Sequence, residues 1–303
     1  MNNIKKTNTW TGTTKGGSFG QKFLFFIFKI IPVCLLYPIL FFVIPIYIIT
    51  DKQKFLPIFN YFRNQFQNSK WKAFWNSYWN YIVFGQIVLD KFAILVGKTK
   101  QFKFEIIGHD FLDEVYNAQK GCLIASAHIG NFEMAGVALK DKQLKINSII
   151  FSGETENMKQ QRNSVYSNSN INTIVFSSDM SHLFKIKEVL EKKEFLTILC
   201  DRNFGSPKKQ QVKFLSEETF FPQGPFRIAV QMDVPVITLF IMKKNIRKYV
   251  VYTQNISENI PNDINSIIKS KILTENFADC LEKILKKYPH QWFNYYEFWE
   301  KIK

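Results

Sequence analysis

The chain has 303 residues, 46% hydrophobic and 21% charged, with a formal net charge of +15. That composition supports one large domain with a buried core plus a small appendage, and it excludes a disordered chain. The positive charge suits nucleic acid, anionic lipid headgroups or an acidic protein. The 16% aromatics, including 31 phenylalanines, fit a membrane interface better than a nucleic-acid groove, so an anionic membrane surface is expected as a partner and nucleic acid is not. Cys34, Cys122, Cys200 and Cys280 lie far apart without a C-x-x-C pair. They argue against a metal site or disulfide framework and read as reduced, buried thiols.

Residues 1–22 are polar and basic, and Phe23 to Ile49 is almost wholly apolar, with Lys29 as its one charge and prolines at 32, 38 and 45. The 20 uncharged residues from Ile30 to Ile49 are long enough to span a bilayer. The run is too long for a cleavable signal peptide, and no small-x-small site follows it. Lys15 and Lys22 precede it and Lys52 and Lys54 follow, so the positive-inside rule sets no orientation. The prolines also allow a kinked or re-entrant passage. Residues 1–55 are therefore read as a basic segment and anchor, and 56–303 as the main domain.

Tyr61 to Gly97 has a helical pattern crowded with Trp71, Phe74, Trp75, Tyr78, Trp79, Tyr81 and Phe84, and Gly97 is placed to cap it. Two readings stay open: a helix at headgroup level, or a core helix beneath the domain. Within the main domain, 56–97 is thus set apart as aromatic interfacial helices and 98–303 as an α/β core. Runs at 102–107, 122–127, 146–151, 172–176, 195–200, 234–240 and 248–253 read as strands. Helical patterns fall at about 110–119, 131–140, 155–168, 179–193, 224–232 and 264–287. Such alternation predicts an α/β fold around a mixed, mostly parallel sheet flanked by helices.

The segment SAHIGNFEMAG, 126–136, carries the chemistry. An apolar strand ends at Ala127, His128 follows, Gly130 and Asn131 can turn the chain, and Glu133 falls at the start of a helix. Residues five apart on one ideal helix point about 140° away from each other. His128 and Glu133 can therefore meet when His128 sits on the loop and Glu133 reaches back, with Asn131 as N-cap. A histidine so placed can take a proton from a hydroxyl or amine attacking a thioester, with Glu133 fixing its tautomer and backbone N–H groups meeting the oxyanion. Spacing alone fits equally a strand-end histidine and a glutamate that complements a helix dipole.

SAHIGNFE resembles the H-x-x-x-x-D/E motif of the glycerolipid acyltransferase superfamily, and its wording is similar to that of the bacterial lipid A late acyltransferases. Further blocks follow in the same order: ILCDRNFG at 198–205, FPQGPFRIA at 221–229 and QWFNYYEFW at 291–299, with WTGTTKGG at 10–17 resembling the family's opening. The resemblance implies a membrane-associated acyltransferase at the cytoplasmic face of a bacterial inner membrane, moving an acyl group from acyl carrier protein to a lipid. It implies no metal, cofactor or covalent acyl-enzyme; acyl-ACP or acyl-CoA is the co-substrate. A lipid A precursor leads as acceptor, with an aminolipid, a phospholipid-like molecule or a polyene pigment precursor open.

His128 and Glu133 are then the expected catalytic pair. Asp201 and Arg202 match the block after a central strand and read either as positioning groups or as a local ion pair. Pro222, Gly224 and Pro225 shape a loop beside the acyl or headgroup pocket, or simply a turn. Arg227 is a phosphate candidate or a surface arginine, and Arg162 is a further headgroup candidate. Lys208, Lys209 and Lys213 read as a docking stretch for the acidic carrier protein or as a solvated hairpin. His109, His182 and His290 lack a matching carboxylate motif and are assigned to structure. The rival reading is a catalytically inactive, lipid-binding relative or basic membrane adaptor, against which the presence of both His128 and Glu133 argues. GGSFG at 16–20 matches G-x-S-x-G without a preceding strand, and Gly97-Lys98-Thr99 lacks the first glycine of a P-loop.

Overall fold

The computed structural model describes residues 28–117, 120–139, 144–151, 171–176, 181–203, 208–261 and 263–299. A 3-10 turn at Val33–Leu36 leads into helix α1, Tyr37–Thr50. Pro38 sits in its first turn, where a missing N–H costs nothing. Asp51, in a non-helical conformation, separates α1 from α2, Lys52–Asn60, which runs on into a π-helical turn at Tyr61–Gln65. Gln67 then takes a positive φ of 51°, and the Ser69 hydroxyl accepts the Lys72 N–H at 3.3 Å to start α3, Lys70–Leu95. The helix expected over 61–97 is thus two pieces, because the chain breaks before Ser69. Gly97 ends α3 at φ +83°, the conformation a glycine cap requires.

Val33–Thr50 is long and apolar enough to cross a membrane, with mean hydropathy 2.4. Its inner side docks on α3: Leu40 and Ile44 pack with Tyr81 and Ile82. The Leu40 side chain lies against Gly85, where any Cβ would have to displace it. The outer side leaves Phe42 78% and Ile49 69% exposed, and α3 adds Trp71, Trp75 and Trp79 on one stripe, all exposed. Ala73, Ser77, Asn80 and Tyr81 on the other side of α3 are buried, as a helix packed on the domain requires.

The main domain is built on β1 (Lys103–Ile107), α4 (His109–Asn117), β2 (Cys122–Ser126), α5 (Ala135–Ala138), β3 (Ile146–Phe151), β4 (Ile171–Phe176), α6 (Ser181–Glu191) and β5 (Phe195–Leu199). It continues with β6 (Lys209–Phe214), β7 (Glu217–Pro222), α7 (Gly224–Gln231), β8 (Val236–Lys243), β9 (Lys248–Asn255) and α8 (Ser266–Lys287). Seven strands form one sheet in the order β1-β9-β8-β2-β5-β3-β4. β8, β2, β5, β3 and β4 run parallel, while β9 turns back antiparallel to β8 and pairs parallel with β1. This is the mixed, mostly parallel sheet predicted, and all seven expected strands are in it. The helix expected at 155–168 lies outside the described residues.

β2 is buried along its whole length, as a central strand covered on both faces must be. Each fully buried Leu or Ile there contributes about 1.5–3 kcal/mol. The antiparallel β6–β7 hairpin stands apart as a second sheet and turns Val212, Phe214 and Phe221 into the main core. Lys208, Lys209 and Lys213 are exposed on it, which fits either reading of that stretch. Cys122, Cys200 and Cys280 are buried free thiols and Cys34 is half-buried.

Candidate active site

β2 and β5 are neighbours at the centre of the sheet, and both chains leave it at the same end. In open α/β sheets the carboxyl ends of such strands form the crevice where ligands bind. His128 follows β2 by two residues and Asp201 follows β5 by two, so parallel pairing brings them together. The Cys200 N–H donates to the Ser126 carbonyl at 2.7 Å, extending the register to the site.

Asp201 is fully buried, and its carboxylate takes three hydrogen bonds. Oδ1 lies 2.8 Å from His128 Nδ1, while Oδ2 accepts the His128 backbone N–H and the Trp292 indole N–H, each at 3.1 Å. Burial alone would raise its pKa, but the positive charge and hydrogen bond of His128, the Arg202 charge and the Trp292 N–H outweigh burial and hold it down at about 2. An ionised carboxylate can only accept, so Nδ1 carries the hydrogen, and in the neutral imidazole the lone pair then lies on Nε2. The His128 side chain is 23% exposed, so the imidazole is anchored at one nitrogen and partly open to solvent.

The following loop is fixed by its backbone. Gly130 takes φ +51°, and a Cβ there would collide with the Ile241 carbonyl, so glycine is required. The Gly130 N–H donates to Gln291 O and the Asn131 N–H to Ile241 O, both at 2.8 Å. The C-terminal segment closes the other side, with the Phe293 N–H on His128 O at 2.9 Å. Asn131 occupies the N-cap position of a 3-10 turn, Phe132–Met134, but its side chain makes no cap bond. The turn is held instead by the Asn131 carbonyl, which accepts the Met134 N–H at 3.0 Å.

Glu133 is where the structure departs from expectation. Its carboxylate pairs with Lys91 of α3, at 2.6 Å from Oε2 and 2.8 Å from Oε1, and it forms no hydrogen bond to His128. The carboxylate that meets His128 Nδ1 in this geometry is that of Asp201. The 3-10 turn carries Glu133 toward α3, whereas β5 delivers Asp201 directly to Nδ1. Arg202 Nη2 donates to Phe293 O at 3.1 Å, and its guanidinium lies over the Tyr296 ring at 5.7 Å. It holds the C-terminal segment against the site in addition to adding charge beside Asp201.

Pro222, Gly224, Pro225 and Arg227 build the junction between β7 and α7, with the Arg227 N–H on the Gln223 carbonyl at 3.0 Å. None of the four bonds His128 or Asp201 among the described residues. Arg162 lies outside the described residues. His182 stacks on Phe176 and His290 Nε2 is 3.1 Å from Asn76 Oδ1, in keeping with structural roles; nothing is described of the His109 side chain.

Three groups to which the motif reading gave no role complete the site, two of them in the QWFNYYEFW block at 291–299. Trp292 gives Asp201 its third bond. Gln291 binds the Lys243 backbone at both N–H and C=O, 2.9 and 2.8 Å. Lys243 in turn forms a buried ion pair with Asp90, onto which Tyr37 and Tyr249 also donate. Burial pushes the Asp90 carboxyl up and the Lys243 ammonium down, and each draws the other back toward its charged form. The signal in the sequence was Asp90 in a helical stretch apolar but for its neighbour Lys91, IVLDKFAILV at 87–96, and Lys243 at the end of an apolar strand.

No curated protein matches this chain. The sequence model of the bacterial lipid A biosynthesis acyltransferases matches residues 77–301, which take in most of the aromatic helix, the sheet, His128, Asp201 and the Trp292 segment. With about three quarters of its length so matched, the chain belongs to the bacterial lipid A biosynthesis acyltransferase family.

Proposed function

We propose that this acyltransferase moves a fatty acyl group from an acyl-ACP thioester to a hydroxyl or amine of a lipid acceptor, with a lipid A precursor leading, and that His128 is the general base. The observation that carries this reading is the Asp201 carboxylate on Nδ1, which leaves Nε2 free to accept a proton. Nε2 takes the proton of the acceptor hydroxyl as its oxygen bonds to the thioester carbonyl carbon. The tetrahedral intermediate then collapses, the C–S bond breaks, and the departing thiolate receives that proton from the imidazolium. Asp201 stabilises the imidazolium between these steps.

The N–H groups of His128, Gly130, Asn131 and Met134 already serve protein acceptors. Of the N–H groups that remain in this loop, those of Ile129, Phe132 and Glu133, the oxyanion is assigned to Phe132 and Glu133, the first positions of the 3-10 turn, where helical geometry provides no internal partner. Glu133, through Lys91, ties this turn to α3. The exposed lysines of the β6–β7 hairpin are the surface offered to the acidic carrier protein. Val33–Thr50 with the tryptophan stripe anchors the chain in a bacterial inner membrane with the site toward the cytoplasm.

The test is mass spectrometry of bacterial lipids incubated with purified protein and acyl-ACP, comparing wild type with His128→Ala. An acylated lipid made by wild type alone is expected. Equal product from the variant would remove His128 from the mechanism.

A further inference from the structure

The two long sides of α1 and of the turn before it have different surroundings. Val33, Tyr37, Leu40 and Ile44, at alternating spacings of four and three, are buried. Leu35, Ile39, Phe42, Ile46 and Ile49, at the same spacings, form an exposed stripe with no polar side chain. A helix that crosses a bilayer alone meets lipid all round and needs no such division. The exposed stripe continues onto α3, where the Phe41 and Trp79 rings meet edge to face at 5.8 Å and Trp75 and Trp71 follow, both exposed.

Contacts hold this segment to the catalytic domain at both ends. At its start, Tyr37 donates its hydroxyl to Asp90 of α3, the Lys243 ammonium of β8 donates to the same oxygen at 3.0 Å, and Lys98 Nζ donates to Ile31 O at 3.1 Å. Phe28, just upstream, is buried and stacks on Phe92 at 5.6 Å. In the middle, Leu40 lies against Gly85. Past the end, Phe55 of α2 meets Phe74 at 5.7 Å, and Ile58 is buried in the same core cluster as Leu123 and Ala125 of β2. As the chain runs from 37 to 55 its partners on α3 run from 90 toward 74, so the segment lies antiparallel along α3. That helix is itself fastened to the domain. Asn80, at its middle, donates to His290 O and Trp292 O at 3.1 and 2.8 Å, and Asp90 pairs with Lys243. A crossing α1 would have to leave these partners or draw the catalytic domain into the hydrocarbon.

We propose that Val33–Thr50 does not cross the membrane. It lies in the plane of one leaflet, with its exposed stripe and the α3 tryptophans in a phospholipid bilayer and both ends on the face that carries the catalytic domain. The inference rests on the membrane reading above and not on the chemistry. The charges agree with it: Lys29 before the segment and Lys52, Lys70 and Lys72 after it are exposed. Lysines at both ends suit a segment that returns to one anionic headgroup layer, whereas a crossing segment concentrates them on one side. Tryptophan in a stripe suits the same layer. The stripe also ends close to the chemistry, since Phe84 of α3 touches Phe293 at 5.0 Å between centroids and the Phe293 N–H donates to His128 O.

The experiment attaches a nitroxide at Leu35→Cys or Ile49→Cys of the full chain carrying Cys34→Ser, in vesicles of phosphatidylethanolamine and phosphatidylglycerol. Depth is read from the relative accessibility to oxygen and to a nickel chelate. At 1.5 Å per residue or more, the two labels stand at least about 20 Å apart along the segment. An in-plane helix puts both within about 10 Å of the headgroups, at depths that agree to about 5 Å. Depths that differ by about 20 Å overturn the proposal, and two labels as open to nickel as in water overturn lipid as the partner. Should either variant not fold, Lys29→Cys and Gln53→Cys, at exposed positions, provide a second readout with a membrane-impermeant maleimide. Both sites are expected to react from the same face when spheroplasts are compared with inverted vesicles, and reaction from opposite faces overturns the proposal. Neither readout uses donor or acceptor. A chain that lies in plane yet makes no acylated product indicts the proposed chemistry and leaves the topology standing, and an active chain labelled from opposite faces does the reverse.

Discussion

Replacing Asp201 by asparagine changes one oxygen to an amide nitrogen, and the hydrogen bonds decide which one. Oδ2 accepts two N–H groups, from His128 and Trp292, while Oδ1 meets His128 Nδ1 alone. The asparagine will therefore keep its oxygen toward the two backbone and indole donors and present its NH2 to Nδ1. Nδ1 must then accept, the imidazole hydrogen moves to Nε2, and the base is lost. Three hydrogen bonds survive, so the fold persists. Their loss of charge assistance, at about 0.5–1 kcal/mol each, lowers stability by about 2 kcal/mol, or about 4–8 °C in Tm for a domain of this size. Turnover is expected to fall about 10³–10⁴-fold, the scale on which a wrong histidine tautomer impairs a base. Acyl transfer measured by mass spectrometry gives the rate, and nitrogen-15 NMR of the imidazole reads the tautomer. A folded Asp201→Asn enzyme with wild-type turnover, or with the hydrogen still on Nδ1, would refute the reasoning.

Other perturbations probe separate parts of the site. Glu133→Gln and Lys91→Met each break the half-exposed Glu133–Lys91 pair; if Glu133 acts by tying its loop to α3, both should reduce kcat similarly, whereas a large loss confined to Glu133→Gln would return that carboxylate to the chemistry. Lys243→Met leaves Asp90 buried without its cation and should cost about 3–5 kcal/mol, with Asp90→Asn on the same chain restoring part of it; an unchanged Tm in the single variant would contradict the buried pair. The Asp201 carboxyl, held at about 2 in the fold against 3.8 for the free group, adds about 2 kcal/mol above pH 3.8, and that increment disappears as pH falls toward 2. The Tm gap between wild type and Asp201→Asn should accordingly narrow with acidification below pH 4, and a constant gap would argue against ionisation of Asp201 as its source.

The sheet was legible because each of its strands is a short apolar run bounded by polar helical residues, as at 122–127 and 234–240. The β6–β7 hairpin was less so: KQQVKF and EETFFP mix charge with isolated apolar residues, since one face packs on the core and the other meets solvent. The helix over 61–97 kept its period through the aromatics, but period is blind to the π turn and the break before Ser69.

Local sequence was enough to place His128 at a strand end, to offer a turn at Gly130 and Asn131 after it, and to mark an apolar segment able to enter a bilayer, because strand ends, tight turns and hydropathy are properties of neighbouring residues. Tertiary structure alone decided which carboxylate meets His128. Asp201 is 73 residues away in the chain, and it arrives because β2 and β5 pair in parallel and end together. Glu133 is five residues away, yet the 3-10 turn that follows His128 points it at Lys91. Sequence distance measures how far the chain must travel; the register of the sheet determines where it arrives.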